Sequence, residues 1–98
     1  MTPIFIELQA SLDIEEAARW YEAQRSGLGI EFVLEADFAI ERIQENPKLY
    51  LQSYRGIRRV LLHRFPYAIY FVANDTETRV LAVLHQARSD KTIGKKLL

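Results

Sequence analysis

Two apolar patterns of helical period, joined by a connection as short as Ser26–Gly29, constrain this chain more than any other feature. In the first, Ile14, Ala17, Ala18 and Tyr21 fall on one helical face, with Arg19 and Glu22 on others. Ser11 offers an oxygen to cap the start, and Asp13, Glu15 and Glu16 put negative charge in the first turn, where the helix dipole favours it. Arg25, then Gly27 and Gly29, supply a stop. The pattern predicts a helix from Leu12 to Arg25. In the second, Phe32, Ala36, Ala39, Ile40 and Ile43 form the stripe, while Glu31, Glu35, Glu41 and Glu45 mostly point elsewhere. Asn46-Pro47 ends it, because the residue before a proline is pushed out of the α region. So short a link implies an antiparallel helical hairpin.

The hairpin needs a layer to cover, and the rest of the sequence supplies β-structure. Ile4-Phe5-Ile6, followed by Leu8, reads as a first strand. Further strands are expected over 57–64, 67–73 and 79–87. Phe65-Pro66 turns the chain between the first two of these, and Asn74-Asp75-Thr76-Glu77 has the composition of a tight hairpin loop. Tyr67 to Val72 is apolar on both faces, as expected at the centre of a sheet. The expected fold is α+β, in the order β-α-α-β-β-β, an antiparallel sheet with the helical hairpin on one face, read as one domain over 1–98.

Charge narrows the function classes. Residues 1–52 hold four basic and ten acidic side chains, a balance of −6; residues 53–98 hold nine basic and three acidic, a balance of +6. One electronegative and one electropositive face are implied, the latter suited to nucleic acid or an acidic protein. There is no cysteine, and His63 and His85 are the only histidines, which excludes disulfides and leaves no convincing metal cage. Gly27-Leu28-Gly29 lacks the spacing and lysine of a phosphate loop. No cofactor is expected. No apolar run is long enough to span a bilayer, and Met1-Thr2-Pro3 does not lead into a signal-like segment, so the expected location is cytoplasmic.

The run Arg58-Arg59-Val60-Leu61-Leu62-His63-Arg64-Phe65-Pro66-Tyr67-Ala68-Ile69-Tyr70 resembles the central strands of RelE/ParE toxins, the poison halves of type II toxin–antitoxin (plasmid stabilisation) systems. Val80 to Arg88 resembles the closing strand of that superfamily. Ala17-Ala18-Arg19-Trp20-Tyr21-Glu22, Gly27-Leu28-Gly29 with Phe32, and Asn46-Pro47 resemble its helical hairpin and exit. The resemblance runs from Phe5 to about Arg88. It implies a toxin neutralised by a cognate antitoxin, acting on DNA gyrase (ParE type) or as a ribosome-dependent mRNA endonuclease (RelE type). A non-toxic module that only binds antitoxin is the third possibility.

Within the resemblance, the RelE pattern carries an arginine after the middle-strand tyrosine, where this chain has Ala68. It also carries a tyrosine on the C-terminal segment, where this chain has none beyond Tyr70, and lysines on the strand where Arg59 and Leu61 stand here. Cleaving RNA without a metal requires groups that move protons and stabilise a phosphorane. Those departures favour gyrase poisoning over catalysis. Arg58, Arg59, His85 and Arg88 are the candidate target-binding residues, with Arg59, His85 and Arg88 the catalytic candidates if RNA is cut. The meander is expected to bring Arg58 near His85 and Arg88. Trp20 falls off the core stripe and, with Ile93 and Leu97 of the tail, is a candidate antitoxin contact.

Overall fold

A computed structural model describes residues 2–87, so the expectations placed on Arg88, Ile93 and Leu97 lie outside the described residues. Strand β1 (Ile4–Ile6) leads into helices α1 (Leu8–Gln24) and α2 (Leu28–Glu45). A 3-10 turn (Pro47–Leu49) follows, then β2 (Gln52–Tyr54), β3 (Ile57–Leu61), β4 (Tyr67–Ala73) and β5 (Thr78–His85).

Helix α1 begins four residues before Leu12, and Ser11 is not its cap. The Ser11 amide already donates to the Glu7 carbonyl at 3.1 Å. Glu7 makes the turn, its own amide bound to the Val80 carbonyl of β5 at 2.9 Å, so strand passes into helix without a loop. The hairpin link is closed by a side chain. Both Glu22 carboxylate oxygens accept from the Gly27 amide, and Oε1 also accepts from the Gly29 amide at 3.0 Å. Gly27 has φ +90°, a left-handed conformation that glycine adopts without a Cβ penalty. Asn46, just before Pro47, ends α2.

The sheet order is β1-β5-β4-β3-β2, with β4 at the centre as its two-sided apolar sequence requires. It is mixed and not wholly antiparallel: β1 lies parallel to β5, Ile4 opposite Thr78 and Ile6 opposite Val80. The helical hairpin carries the chain from β1 to the far edge, leaving the last strand to fill the space beside β1. The edge strand β2 was not expected from the sequence. It joins β3 through Arg55 and Gly56, with φ +45° and +82°; positive φ at both positions is what a two-residue hairpin turn with the sheet's own twist requires.

Past β3, the Leu62 amide still donates to the Tyr67 carbonyl of β4 at 2.9 Å, and the next two backbone donors turn to α2. Glu35 accepts from the His63 amide at 2.6 Å and from the Arg64 amide at 3.2 Å. β5 stops at His85, whose Nδ1 accepts from the Ala87 amide at 3.0 Å. Between β4 and β5, Asn74 Oδ1 accepts from the Thr76 and Glu77 amides and closes the loop.

The helices cover one face of the sheet. Phe32, Ile43, Ile69, Phe71, Val80 and Val83 are buried between the layers, each large side chain contributing about 1.5–3 kcal/mol. Tyr21, Phe32, Phe65 and Tyr67 make an aromatic cluster at one end, with ring centroids 4.7–6.1 Å apart. The second face carries Ile57, Ala68, Tyr70, Ala82 and Leu84, also buried. Leu81 is an extra residue in β5: Tyr70 pairs with Ala82 and Phe71 with Val80, a bulge that keeps both apolar sets in phase.

Candidate functional site

The acidic half of the chain becomes the helical layer, and several of its acids are fold contacts. Glu22 closes the hairpin, and the two glycine amides, that of Gly27 first, hold its carboxyl below the ordinary glutamate range. Glu35 holds the end of β3. Asp13 Oδ2 accepts from the Val83 amide of β5 at 2.9 Å. Glu31 pairs with Arg64 at 2.6 Å and with Arg25 at 3.6 Å, and the Arg64 hydrogen bond is the main cause of its lowered pKa. The negative field here is a by-product of pinning helices to strands as much as a device for partners.

The outer side of that layer is apolar where the sequence reading had singled out nothing. Ile30, Leu34 and Phe38 follow one another every four residues along α2 and are 57–67% exposed. They form a second apolar row, displaced from the buried stripe. A groove of about 690 Å³ runs beside the row between α1 and α2, walled by Ile14, Ala18, Gly29, Ile30 and Val33. The signal was present in the sequence as three apolar residues at a spacing of four, hidden because one helix face satisfies the core. Trp20, 58% exposed on α1, stands edge-on to Tyr21 with centroids 5.1 Å apart and lies off the core stripe as expected.

Of the expected basic residues, the three described ones, Arg58, Arg59 and His85, are not brought together. Arg58 pairs with Phe71 and Arg59 with Tyr70, so they project to opposite sides of the sheet, Arg58 towards the helices. The Arg58 guanidinium donates to the Tyr50 carbonyl at 2.5 Å and to the Lys48 carbonyl at 3.5 Å, anchoring the segment before β2. Arg59 is exposed on the second face. His85 pairs with Tyr67 at the other end of the sheet. Arg58 is level with Phe71, four residues along β4 from Tyr67, which puts Arg58 and His85 about 13 Å apart along the strands alone. The expectation that a meander would make them neighbours fails because β3 and β5 run the same way, so the start of one is far from the end of the other.

His85 has different company. It lies on the helix side, its ring 5.3 Å from that of Tyr67, and both line a cavity of about 490 Å³ with Asp13, Glu16 and Trp20 of α1. Ala68, where the resemblance would put a nuclease arginine, is fully buried between Leu61 and Leu84. Among the described residues no group of three histidine, cysteine or acidic side chains is placed to hold a metal ion. No described helix is long and apolar enough to cross a membrane.

Residues 4–90 match a protein family described as the ParE toxin of type II toxin–antitoxin system, parDE. Among solved structures, the chain is similar to one from the chromosomal ParDE toxin–antitoxin system of P. aeruginosa, with TM-score 0.79 and 16% identity over 87% of this chain and 96% of that one. It is also similar to YafQ from E. coli strain BL21(DE3), with TM-score 0.62 and 18% identity over 89% of this chain and 96% of that one. At such identities the two structural likenesses are of fold. No curated protein matches in sequence.

Proposed function

The chain belongs to the ParE toxin family of type II toxin–antitoxin systems, and from that premise we propose that this toxin acts by binding its target, in the manner of a gyrase poison, and not by cutting RNA. An antitoxin partner follows from the family itself. The observation that carries the proposal is the separation of the two described catalytic candidates, Arg59 and His85. Arg59 and His85 occupy opposite faces of the sheet, and the position between them is a buried alanine. A phosphorane needs its cation and its proton donor within hydrogen-bond reach of the same phosphate, and one missing oxyanion donor costs about 10²–10³ in rate. A binding surface needs no such convergence.

In this reading Arg59 marks the target side and the helical layer is the antitoxin's. An amphipathic antitoxin segment lies along Ile30, Leu34 and Phe38, its basic side chains meeting Asp37 and Glu41, in the helix-in-groove mode. Both events take place in the cytoplasm. The second reading, ribosome-dependent mRNA cleavage, draws on His85 standing against Tyr67 in a cavity.

Inducing the chain without its antitoxin separates them. Gyrase poisoning arrests growth, leaves mRNA uncut by primer extension and changes plasmid supercoiling. Ribosome-dependent cuts with normal supercoiling would refute the proposal, and normal growth would point to a module that only binds antitoxin.

A further inference from the structure

The cavity between α1 and the end of β5 is not used by the proposed action, and its lining is unusual. Three ring systems, those of Trp20, Tyr67 and His85, share it with the carboxylates of Asp13 and Glu16. Asp13 is committed to the Val83 amide and to the Gln9 side chain. Glu16 makes no hydrogen bond or ion pair among the described residues. Among the described residues the one cation at the rim, Arg19, is bound at 2.5 Å to Glu15. The described lining therefore presents π faces and a carboxylate without a described partner to whatever enters. The His85 ring is held in place by its Nδ1, which accepts from the Ala87 amide at 3.0 Å.

Aromatic faces attract cations through the ring quadrupole, most strongly for tryptophan, and a planar guanidinium both stacks on rings and takes a carboxylate on its edge. An anionic ligand would meet Glu16 and Asp13, and a purely apolar one would bury Glu16 without a partner. We propose that this cavity receives the side chain of an arginine from the antitoxin, with the guanidinium stacked among Trp20, Tyr67 and His85 and paired with Glu16. It rests on the reading that the helical layer is the antitoxin's, and gives that partner a second anchor beyond the Ile30–Leu34–Phe38 row. Trp20, exposed on the free molecule, would be its lid.

Trp20 is the sole tryptophan, so its fluorescence reports on this site alone. The full chain is titrated with N-acetyl-arginine amide and, separately, with the neutral isostere N-acetyl-citrulline amide. The arginine probe is expected to change Trp20 emission and saturate on the order of 10 mM, as suits one guanidinium without the rest of a partner. The citrulline probe should do nothing, and Glu16→Gln should weaken the arginine response about tenfold. Equal responses to both probes, or none to arginine, overturn the site.

The partner assignment is tested with the antitoxin itself. Glu16→Gln, an exposed change that leaves melting unaltered, should speed antitoxin dissociation about 5–10-fold. Unchanged dissociation beside a working arginine response would refute the antitoxin as the source. Failure of the helical-layer reading is distinguishable: antitoxin binding would then also ignore Phe38→Asp, whereas a failed cavity leaves that variant's defect intact.

Discussion

Replacing Gly29 by alanine tests the tightest contact in the helical hairpin. A Cβ built there would sit 2.6 Å from the Ala18 carbonyl oxygen and 3.0 Å from Glu22 Oε1, far inside the 3.4 Å at which ordinary contact begins. The carbonyl belongs to α1 backbone and cannot swing away, so α2 must lift. Overpacking of this kind costs about 1–3 kcal/mol. Lifting α2 also strains the Gly29 amide's bond to Glu22, worth about 1 kcal/mol. Against these stands alanine's advantage over glycine in a helix, at most about 1 kcal/mol. The net expectation is a loss of about 1–3 kcal/mol. At ~4–8 °C per kcal/mol for a domain of this size, Tm by far-UV circular dichroism should fall by about 5–20 °C. Because Gly29 is helical and alanine suits its backbone, only the close approach makes the sign negative. An unchanged or higher Tm would refute the reasoning.

Thr78 Oγ1 is buried with no hydrogen-bond partner, so Thr78→Val should raise Tm by several degrees, about 1 kcal/mol; a lower Tm would mean the hydroxyl is satisfied after all. The lowered Glu22 pKa contributes stability that is present above the ordinary value of 4.5 and lost as pH falls through the folded value. The Tm difference between wild type and Glu22→Gln should therefore shrink on acidification below about pH 4.5, and a constant difference contradicts it. Arg58→Ala frees the Tyr50 carbonyl and should cost about 1–3 kcal/mol by urea unfolding, whereas Arg59→Ala should stay within about 0.5 kcal/mol yet relieve growth arrest. Phe38→Asp should leave Tm within a few degrees and weaken antitoxin binding at least about tenfold in a calorimetric titration; full affinity would move the docking surface elsewhere.

Much of this architecture is legible in the sequence, for identifiable reasons. The 3.6-residue period of Phe32, Ala36, Ala39, Ile40 and Ile43 found the buried side of α2, and the stretch from Tyr67 to Val72 declared the central strand by being apolar on both faces. What stayed hidden depends on tertiary pairing. Ser11 looked like a cap because local chemistry cannot register that Glu7 is already tied to β5. β2 escaped because Arg55-Gly56 lacks the Asn-Gly or Asp-Gly of a familiar hairpin turn. The direction of β1 is set by where the last strand finds room. At the candidate sites, Trp20 was visible as a residue off its stripe, but the divergence of Arg58, Arg59 and His85 is a matter of strand register, which a single sequence does not state. Ile30, Leu34 and Phe38 were missed because one apolar face already accounted for the helix.

Gyrase binding is the action proposed for this toxin. It is tested most directly with purified gyrase, relaxed plasmid and ATP, adding the purified chain alone or with its antitoxin. The chain should block supercoiling or trap cleaved plasmid, antitoxin should reverse this, and Arg59→Ala should be weaker while still folded. Normal supercoiling at saturating toxin, together with codon-dependent cuts in mRNA on translating ribosomes, would contradict it and make His85 the group to examine next.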